Sequence, residues 1–205
     1  MAIPVLIIGE SGTGKSCSMR NFKKDEIGVI NVSRKPLPFK SDIKLFNSDD
    51  YATISEVLRK AKAKTIVIDD AQYLQANELM RRAKENGYGK FTDIALNLWN
   101  LFQLVINEMP EDTIVYFMAH IERDNEGNEK YKTVGKMTDN YSVEGMATIC
   151  LKTVVKDGHY YFATQNNGSD TVKSPLGLFE EPLIENDLKA VDSAIRTYYG
   201  IGGTK

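Results

Sequence analysis

The chain has 205 residues, of which 42% are hydrophobic and 26% charged, and this excludes a disordered or membrane-spanning protein. Two cysteines, Cys17 and Cys150, are too few for a disulfide framework, and the apolar residues 1–8 are too short for a signal peptide or a membrane span. The net charge of −2 argues against a nucleic-acid partner, although an average conceals local fields. We expect one domain over residues 1–205 and no membrane partner.

The first two thirds of the chain alternate between strand-like and helix-like segments. Short runs rich in β-branched residues predict buried strands over residues 3–8, 27–32, 43–46, 65–68 and 113–118. Apolar residues at helical spacing predict helices over residues 51–61, 71–84 and 91–109. Residues 48–50 can cap the first of these helices and Thr92 the last, which Pro110 ends. This alternation predicts an α/β fold with a mostly parallel sheet and helices on both faces.

The last third of the chain changes character. Residues 147–155 and 159–164 are strand-like and flank Asp157-Gly158, which is a strong signal for a hairpin turn. Apolar residues from Ile184 to Tyr198 then predict a closing helix that ends at Gly200. The parallel core is therefore expected to end in antiparallel strands.

A phosphate-binding motif follows the first predicted strand. Residues 9–16 match G-x-x-x-x-G-K-[ST], in which glycines let the backbone curl so that its N–H groups point at phosphate oxygens. The lysine supplies a positive charge to the β- and γ-phosphates, and the final hydroxyl reaches Mg²⁺. With the residue that follows, the predicted nucleotide contacts are Gly9, Glu10, Ser11, Gly12, Thr13, Gly14, Lys15, Ser16 and Cys17. The N-K-x-D string with which G-proteins recognise guanine is absent.

Two acidic residues and a histidine are the candidate catalytic partners of this motif. Asp69 ends an apolar strand, as the metal-side carboxylate of a P-loop protein does, and is predicted to bind Mg²⁺ with Ser16. Asp70 points elsewhere by strand alternation, and it either positions water or caps the next helix. His120 comes at the end of the predicted strand over residues 113–118, at the sheet edge where α/β proteins bind ligands. It either senses the γ-phosphate or is a structural histidine.

The net charge of −2 conceals two segments of local positive charge. Residues 19–40 hold six basic and two acidic residues, and residues 79–91 hold four basic and one acidic, so their net charges are +4 and +3. A positive groove with aromatic rings is what single-stranded nucleic acid requires, and Tyr88 between two glycines is the best candidate for stacking. The predicted DNA contacts are Arg81, Arg82, Tyr88, Lys90, Lys130, Tyr131, Lys132 and Lys136. The alternative is that these segments are ordinary solvated faces.

Taken in order, these features resemble the phage-encoded RecA-core P-loop ATPases. This family comprises the Sak-type single-strand annealing recombination proteins, known broadly as phage AAA-type nucleotide-binding proteins. The resemblance covers nearly all of residues 3–200. It rests on residues 9–16 and 66–70, and on the order of the later segments 78–83, 90–93, 114–120 and 171–175.

The resemblance implies a RecA-like core that binds ATP, so that ATP and Mg²⁺ are the expected cofactors, and ATP hydrolysis that DNA stimulates. It implies annealing or pairing of single-stranded DNA during phage recombination or replication, in the cytoplasm of the infected bacterial host. It also implies a homo-oligomer, ring or filament, in which a basic residue from the late strands completes the neighbour's site. Lys173 matches that place best and Lys152 less well, each with a surface lysine as the alternative. A phage single-strand binding or replication protein is a further implied partner.

The chain departs from this family at one position. RecA-like enzymes usually carry a glutamate after the second core strand to activate water, whereas here the strand continues as Asn31-Val32-Ser33. Either Asp70 or Glu10 takes that role, or hydrolysis is slow. Two other function classes stay open: a nucleotide-regulated adaptor or loader with little hydrolysis, and a small-molecule kinase.

Overall fold

The computed structural model describes residues 1–135 and 141–202. In chain order, the strands are β1 (Ile3–Ile8), β2 (Gly28–Asn31), β3 (Leu45–Asn47), β4 (Thr65–Asp69), β5 (Ile114–Ala119), β6 (Ile121–Arg123), β7 (Glu129–Tyr131), β8 (Ile149–Lys156), β9 (His159–Ala163) and β10 (Leu183–Glu185). The α-helices are α1 (Tyr51–Lys60), α2 (Gln72–Arg81), α3 (Gly89–Glu108) and α4 (Leu188–Tyr199).

Eight of the strands form one sheet in the order β10-β9-β8-β1-β5-β4-β2-β3, and β6 pairs with β7 in a separate hairpin. Every neighbouring pair from β8 across to β3 is parallel, and only the β8–β9 and β9–β10 pairs are antiparallel. The central strands are apolar along their length because both faces of a parallel sheet are covered. The predicted α/β fold, with a mostly parallel sheet and antiparallel strands at its C-terminal end, is confirmed.

Alternate residues of the strands pack against different helices. Leu6 and Ile8 of β1 belong to the core that α1, α2 and α3 cover. Val5 and Ile7 belong to the opposite core, which α4 covers together with a short 3-10 helix over Ser16–Asn21. The period of two along a strand therefore divides the apolar residues between two layers, and the predicted helices on both faces are confirmed.

Two predicted boundaries are wrong, each for a local reason. Helix α3 begins at Gly89, so Thr92 lies within its first turns and does not cap it. Ile184 belongs to β10, because the carboxylate of Asp187 accepts hydrogen bonds from two backbone N–H groups and begins α4 only there.

The strand order brings the two nucleotide motifs together. Strand β5 lies between β1, which leads into residues 9–16, and β4, which ends at Asp69. The carboxyl ends of these parallel strands lie at one edge of the sheet, and His120 follows β5 at that edge, between the two motifs. Among the residues the structure describes, no helix is long and apolar enough to cross a membrane.

Candidate functional site

A cavity of about 870 Å³ opens over the carboxyl ends of these strands. Its floor is the phosphate motif, with residues Ser11, Gly12, Gly14, Lys15, Ser16 and Cys17. One wall comes from the loop after β2, the other from the β8–β9 hairpin and the end of β10. Asp69, Asp70 and His120 lie between them. The cavity volume is within the range of small-molecule and cofactor sites, and the predicted catalytic residues Lys15, Asp69, Asp70 and His120 line this one pocket.

Lys15 holds the phosphate loop in its curled form. Its Nζ donates hydrogen bonds to the backbone oxygens of Gly9 at 2.9 Å and Glu10 at 2.7 Å. The side chain is buried, and burial lowers its pKa although the carboxylates of Asp70, Asp69 and Glu10 oppose this. The lysine charge therefore lies inside the loop, where an anion would find it with little competing water.

The loop also requires glycine at two positions of close approach. A Cβ atom on Gly9 would stand 2.0 Å from the hydroxyl oxygen of Thr153 in β8. Gly14 has a φ of +99°, and a Cβ there would stand 2.9 Å from the ring of Tyr160. The motif glycines thus serve both the curl of the loop and its packing against the C-terminal strands.

The predicted magnesium ligands meet directly. The Ser16 hydroxyl donates to both carboxylate oxygens of Asp69, at 2.9 Å each. Asp69 is only 6% exposed, and burial together with the charge of Asp70 raises its pKa to about 6, although Ser16 and Lys15 act in the opposite direction. A hydroxyl and a carboxylate that converge this closely are the protein ligands with which Mg²⁺ is held beside substrate phosphates. These residues therefore fit Mg²⁺ bound with a nucleotide.

Within the described residues, no group of three or more His, Cys, Asp and Glu side chains is placed to hold a metal ion alone. This agrees with the same chemistry, because Mg²⁺ in such sites takes few protein ligands and completes its shell with phosphate and water.

Asp70 turns away from Asp69 and contacts three polar side chains. Its backbone is left-handed, with a φ of +59°, and its carboxylate lies 3.7 Å from Nε2 of His120 and 3.6 Å from Nζ of Lys35. Burial opposes ionisation, but the nearby polar side chains of His120 and Ser33 and the charge of Lys35 outweigh it and lower the pKa of Asp70 to about 2. The alternative that its side chain caps α2 is wrong, since the position before that helix is Ala71.

His120 connects the site to the segment that follows it. Its backbone N–H donates to the side-chain oxygen of Gln72 at 3.2 Å, and its carbonyl accepts from the N–H of Lys132 at 2.9 Å. Its ring lies edge-on to Tyr73, with centroids 6.4 Å apart. The histidine is thus fixed by its backbone while its ring faces Asp70.

Sequence reasoning missed both walls of the cavity. Lys35 belongs to the basic segment 19–40, for which the sequence predicts contact with DNA or solvent, yet it lines the cavity. Arg20, Tyr160 and Asn186 form the opposite wall, although no motif marks them. Arg34 has a left-handed backbone, with a φ of +58°, where the loop after β2 turns back over the site. The spacing of residues in the sequence does not predict such a reversal of the chain.

Glu10 is placed outside the cavity. Its carboxylate forms an ion pair with Arg123 of β6 at 2.8 Å, and only its backbone carbonyl takes part in the loop. The Thr13 hydroxyl likewise bonds the carbonyl of Glu10 and lies 2.6 Å from the hydroxyl of Thr153, which keeps it beneath the loop. The hypothesis that Glu10 activates water is therefore wrong for this arrangement.

The basic segment 79–91 is largely neutralised by carboxylates elsewhere. Arg82 forms ion pairs with Glu78, Glu85 and Asp93, and Arg81 with Asp49 at 2.7 Å. The amine of Lys90 donates to carbonyl oxygens in the segment that follows α2. A count of charge within the window missed Asp49, Glu78 and Asp93. Arg81, Arg82 and Lys90 therefore have structural partners, and the predicted basic surface is weaker than the sequence suggested.

The aromatic candidates divide sharply. Tyr88 is 89% exposed at the start of α3, where a base can reach its ring. Tyr131 is 1% exposed and lies in the apolar core, where burial raises its pKa, so the prediction that it stacks on a base is wrong. Lys130 pairs with Glu122 at 3.6 Å, Lys132 is exposed, and Lys136 lies outside the described residues.

The two lysines proposed to act on a neighbouring subunit are placed differently. Lys173 is exposed and bridges Cys150 through its backbone, and it does not line the cavity of its own chain. Lys152 is held between Glu129 at 2.7 Å and Asp170 at 2.8 Å. Lys152 therefore has a structural role and is not available as a finger, whereas the role of Lys173 stays a prediction.

We expect Lys152→Met to lower the free energy of unfolding by about 2 kcal/mol, because the buried carboxylate of Asp170 loses its partner. The value lies below that of a fully buried pair, since Lys152 and Glu129 remain partly hydrated. Urea denaturation measures it. Lys156→Met, at an exposed position of the same strand, is the control and should change stability by less than about 0.5 kcal/mol. Equal effects would contradict the structural role.

Comparison with known proteins adds no relative: no family model and no curated sequence matches the chain. Functional assignment therefore rests on the geometry of the site.

Proposed function

We propose that this protein is a RecA-like ATPase that binds ATP with Mg²⁺ and acts on single-stranded DNA in phage recombination or replication. The observation that carries the proposal is the Ser16–Asp69 contact beside the Lys15 loop, at 2.9 Å, in a cavity large enough for a nucleotide. If these residues had only a structural role, there would be no reason for a buried lysine, a buried carboxylate and a curled glycine loop to face one cavity.

Each residue of the site has a part in binding the triphosphate. Lys15 exchanges the carbonyl oxygens of Gly9 and Glu10 for phosphate oxygens, which are stronger acceptors because they are charged. Ser16 and ionised Asp69 are the protein ligands for Mg²⁺, which neutralises developing charge on the phosphates when it is bound. His120 and Lys35 lie beside Asp70 at the end of the cavity where the γ-phosphate would lie.

The course of the chain after His120 supports a coupling between nucleotide binding and DNA binding. The carbonyl of His120 accepts from Lys132, whose segment continues toward Lys136. A shift of His120 on γ-phosphate binding would therefore move the start of a lysine-rich segment. The placement of β5 between β1 and β4 supports a RecA-like core, since it sets this sensor between the two nucleotide motifs.

Slow hydrolysis is the expected behaviour, and it favours the second candidate, a nucleotide-regulated adaptor or loader. Asn31 ends β2, where RecA-like enzymes usually have an acid nearby, and an amide does not accept a proton from water. Asp70 is the carboxylate next to His120, but a pKa of about 2 makes it a weak base. ATP binding without appreciable turnover is the property that would separate an adaptor from an ATPase.

The proposal is tested by measuring ATP turnover with and without single-stranded DNA, at low and moderate salt. We expect DNA to raise turnover and its affinity to fall as salt rises, because lysine–phosphate contacts release counterions. Turnover unaffected by DNA, with no salt-sensitive DNA binding, would exclude the DNA-dependent function. Nucleotide binding alone, with capture of a phage replication protein, would favour the adaptor.

Tyr88→Ala should weaken binding to single-stranded DNA by about 1–3 kcal/mol, which is the contribution of one base stacked on an aromatic ring. The control is Tyr198→Ala, because Tyr198 is also exposed, at 44%, but belongs to α4 rather than to the α2–α3 connection. Fluorescence anisotropy with a labelled oligonucleotide measures both variants. Equal affinities for Tyr88→Ala and the unmodified protein would remove this residue from the DNA surface.

A further inference from the structure

Asn186 carries a buried side-chain amide that makes no hydrogen bond within residues 1–135 and 141–202. The residue is 1% exposed, and neither its amide nitrogen nor its amide oxygen has a hydrogen-bond partner in this part of the chain. Leaving both groups unpaired is unfavourable, so native proteins seldom retain such an amide without a reason. Asn186 also lines the nucleotide cavity, and its Oδ1 lies 3.2 Å from where a Cβ on Gly14 would stand. The unused donor and acceptor thus lie against the phosphate loop.

The backbone around Asn186 is held firmly to the loop and to the strand beside it. Its N–H donates to the carbonyl of Tyr160 at 3.2 Å, and its carbonyl accepts from the guanidinium of Arg20 in the 3-10 helix. The next residue, Asp187, accepts from Asn21 of that helix at 2.8 Å. The unpaired amide therefore belongs to a residue whose backbone is held in place, as is expected of a group that is positioned in advance to bind a ligand.

The position of the wall identifies which part of a nucleotide it would meet. Lys35, Asp70 and His120 lie on the side of the cavity assigned to the γ-phosphate. The base would then lie toward the remaining lining of the cavity, which comes from Cys17 and Arg20 of the 3-10 helix and from the β8–β9 hairpin. There Tyr160, which is 48% exposed, offers a ring for stacking, next to Asn186.

We propose that Tyr160 and Asn186 form the nucleobase subsite and that the Asn186 amide recognises adenine through its N6 and N7. This inference rests on the proposed nucleotide-binding function. An amide presents one donor and one acceptor side by side, which match the N7 acceptor and the N6 donor of adenine. The same edge of guanine carries two acceptors, N7 and O6, so one of them would face the amide oxygen unpaired. The subsite therefore selects ATP over GTP without the sequence motif that marks guanine-binding proteins.

The test compares binding of ATP, GTP and 7-deaza-ATP to the unmodified protein and to Asn186→Leu, with Mg²⁺, by displacement of a fluorescent nucleotide. We expect the unmodified protein to prefer ATP over GTP by roughly 10- to 100-fold and to lose about tenfold on 7-deaza-ATP, which lacks the N7 acceptor. In Asn186→Leu, both differences should shrink to less than about threefold. Asn107→Leu, at an exposed position of α3, should behave as the unmodified protein does.

A stability measurement guards against a variant that simply fails to fold. Because leucine of similar size removes two unpaired polar atoms, the melting temperature of ligand-free Asn186→Leu should equal or exceed that of the unmodified protein. Equal affinity for ATP and GTP in the unmodified protein, or unchanged selectivity in a folded Asn186→Leu, would overturn the assignment of the base subsite alone. Failure to bind any nucleoside triphosphate would instead overturn the proposed function.

Discussion

Lys15→Ala should reduce ATP turnover by about 10²- to 10³-fold, since it removes a charged donor from a site with little water. The side chain is buried, and its amine lies inside the loop, 2.7–2.9 Å from two backbone oxygens. Turnover is measured as phosphate release at saturating ATP and Mg²⁺.

The matched control is Lys60→Ala, an exposed lysine of α1 that pairs with Glu56 one turn earlier. It should retain full turnover. A Lys15→Ala protein that is folded, as judged by its melting transition, and that still hydrolyses ATP at the rate of the control would contradict the assignment of the phosphate loop.

Asp69→Asn should make the ligand-free protein more stable at pH 7 while it removes the Mg²⁺ dependence of nucleotide binding. Burial raises the pKa of Asp69 from an ordinary 3.8 to about 6. The difference corresponds to about 3 kcal/mol of unfavourable ionisation in the folded state at neutral pH. A neutral amide keeps nearly the shape of the side chain and avoids that penalty, so the free energy of unfolding should rise by up to that amount.

The pH dependence of the unmodified protein gives the same information by another route. Because the folded pKa exceeds the unfolded one, the contribution of Asp69 to stability is complete below pH 3.8 and is lost as the pH rises through about 6. Mg²⁺ needs the ionised carboxylate, so its affinity for the folded protein should rise as the pH rises through about 6.

Both effects are measured by urea denaturation and by Mg²⁺ titration in the presence of nucleotide. Asp112→Asn is the control, because an ion pair with Lys64 lowers the pKa of this exposed carboxylate. It should not become more stable and should keep its Mg²⁺ dependence. A destabilised Asp69→Asn protein with unchanged Mg²⁺ dependence would remove Asp69 from the metal site.

The sequence was sufficient for the sheet and for the centre of the site because both depend on local patterns. Continuous apolar runs predicted the buried strands, and the spacing of residues 9–16 specified a backbone curl that only glycines adopt easily. Asp69 followed from its place at the end of such a run. These signals lie within a few residues of one another in the chain.

The walls of the site, in contrast, depend on contacts between distant segments. Asn186 reaches Gly14 across more than 170 residues, and only the pairing of β8, β9 and β10 shows that they meet. The charge of Arg82 was misjudged in the same way, because Asp93 lies outside the segment over which charge was counted. Tyr131 looked like an exposed aromatic between lysines, but the β6–β7 hairpin turns its ring into the core.

The most direct test is a calorimetric titration of the ligand-free protein with ATP, with and without Mg²⁺, at a pH well above 6. A P-loop site built from Lys15, Ser16 and Asp69 predicts one saturable binding event per chain that is markedly tighter with Mg²⁺ and is lost in Lys15→Ala. No binding at millimolar ATP with Mg²⁺, or binding that Lys15→Ala leaves intact, would contradict the nucleotide site on which the proposed function rests.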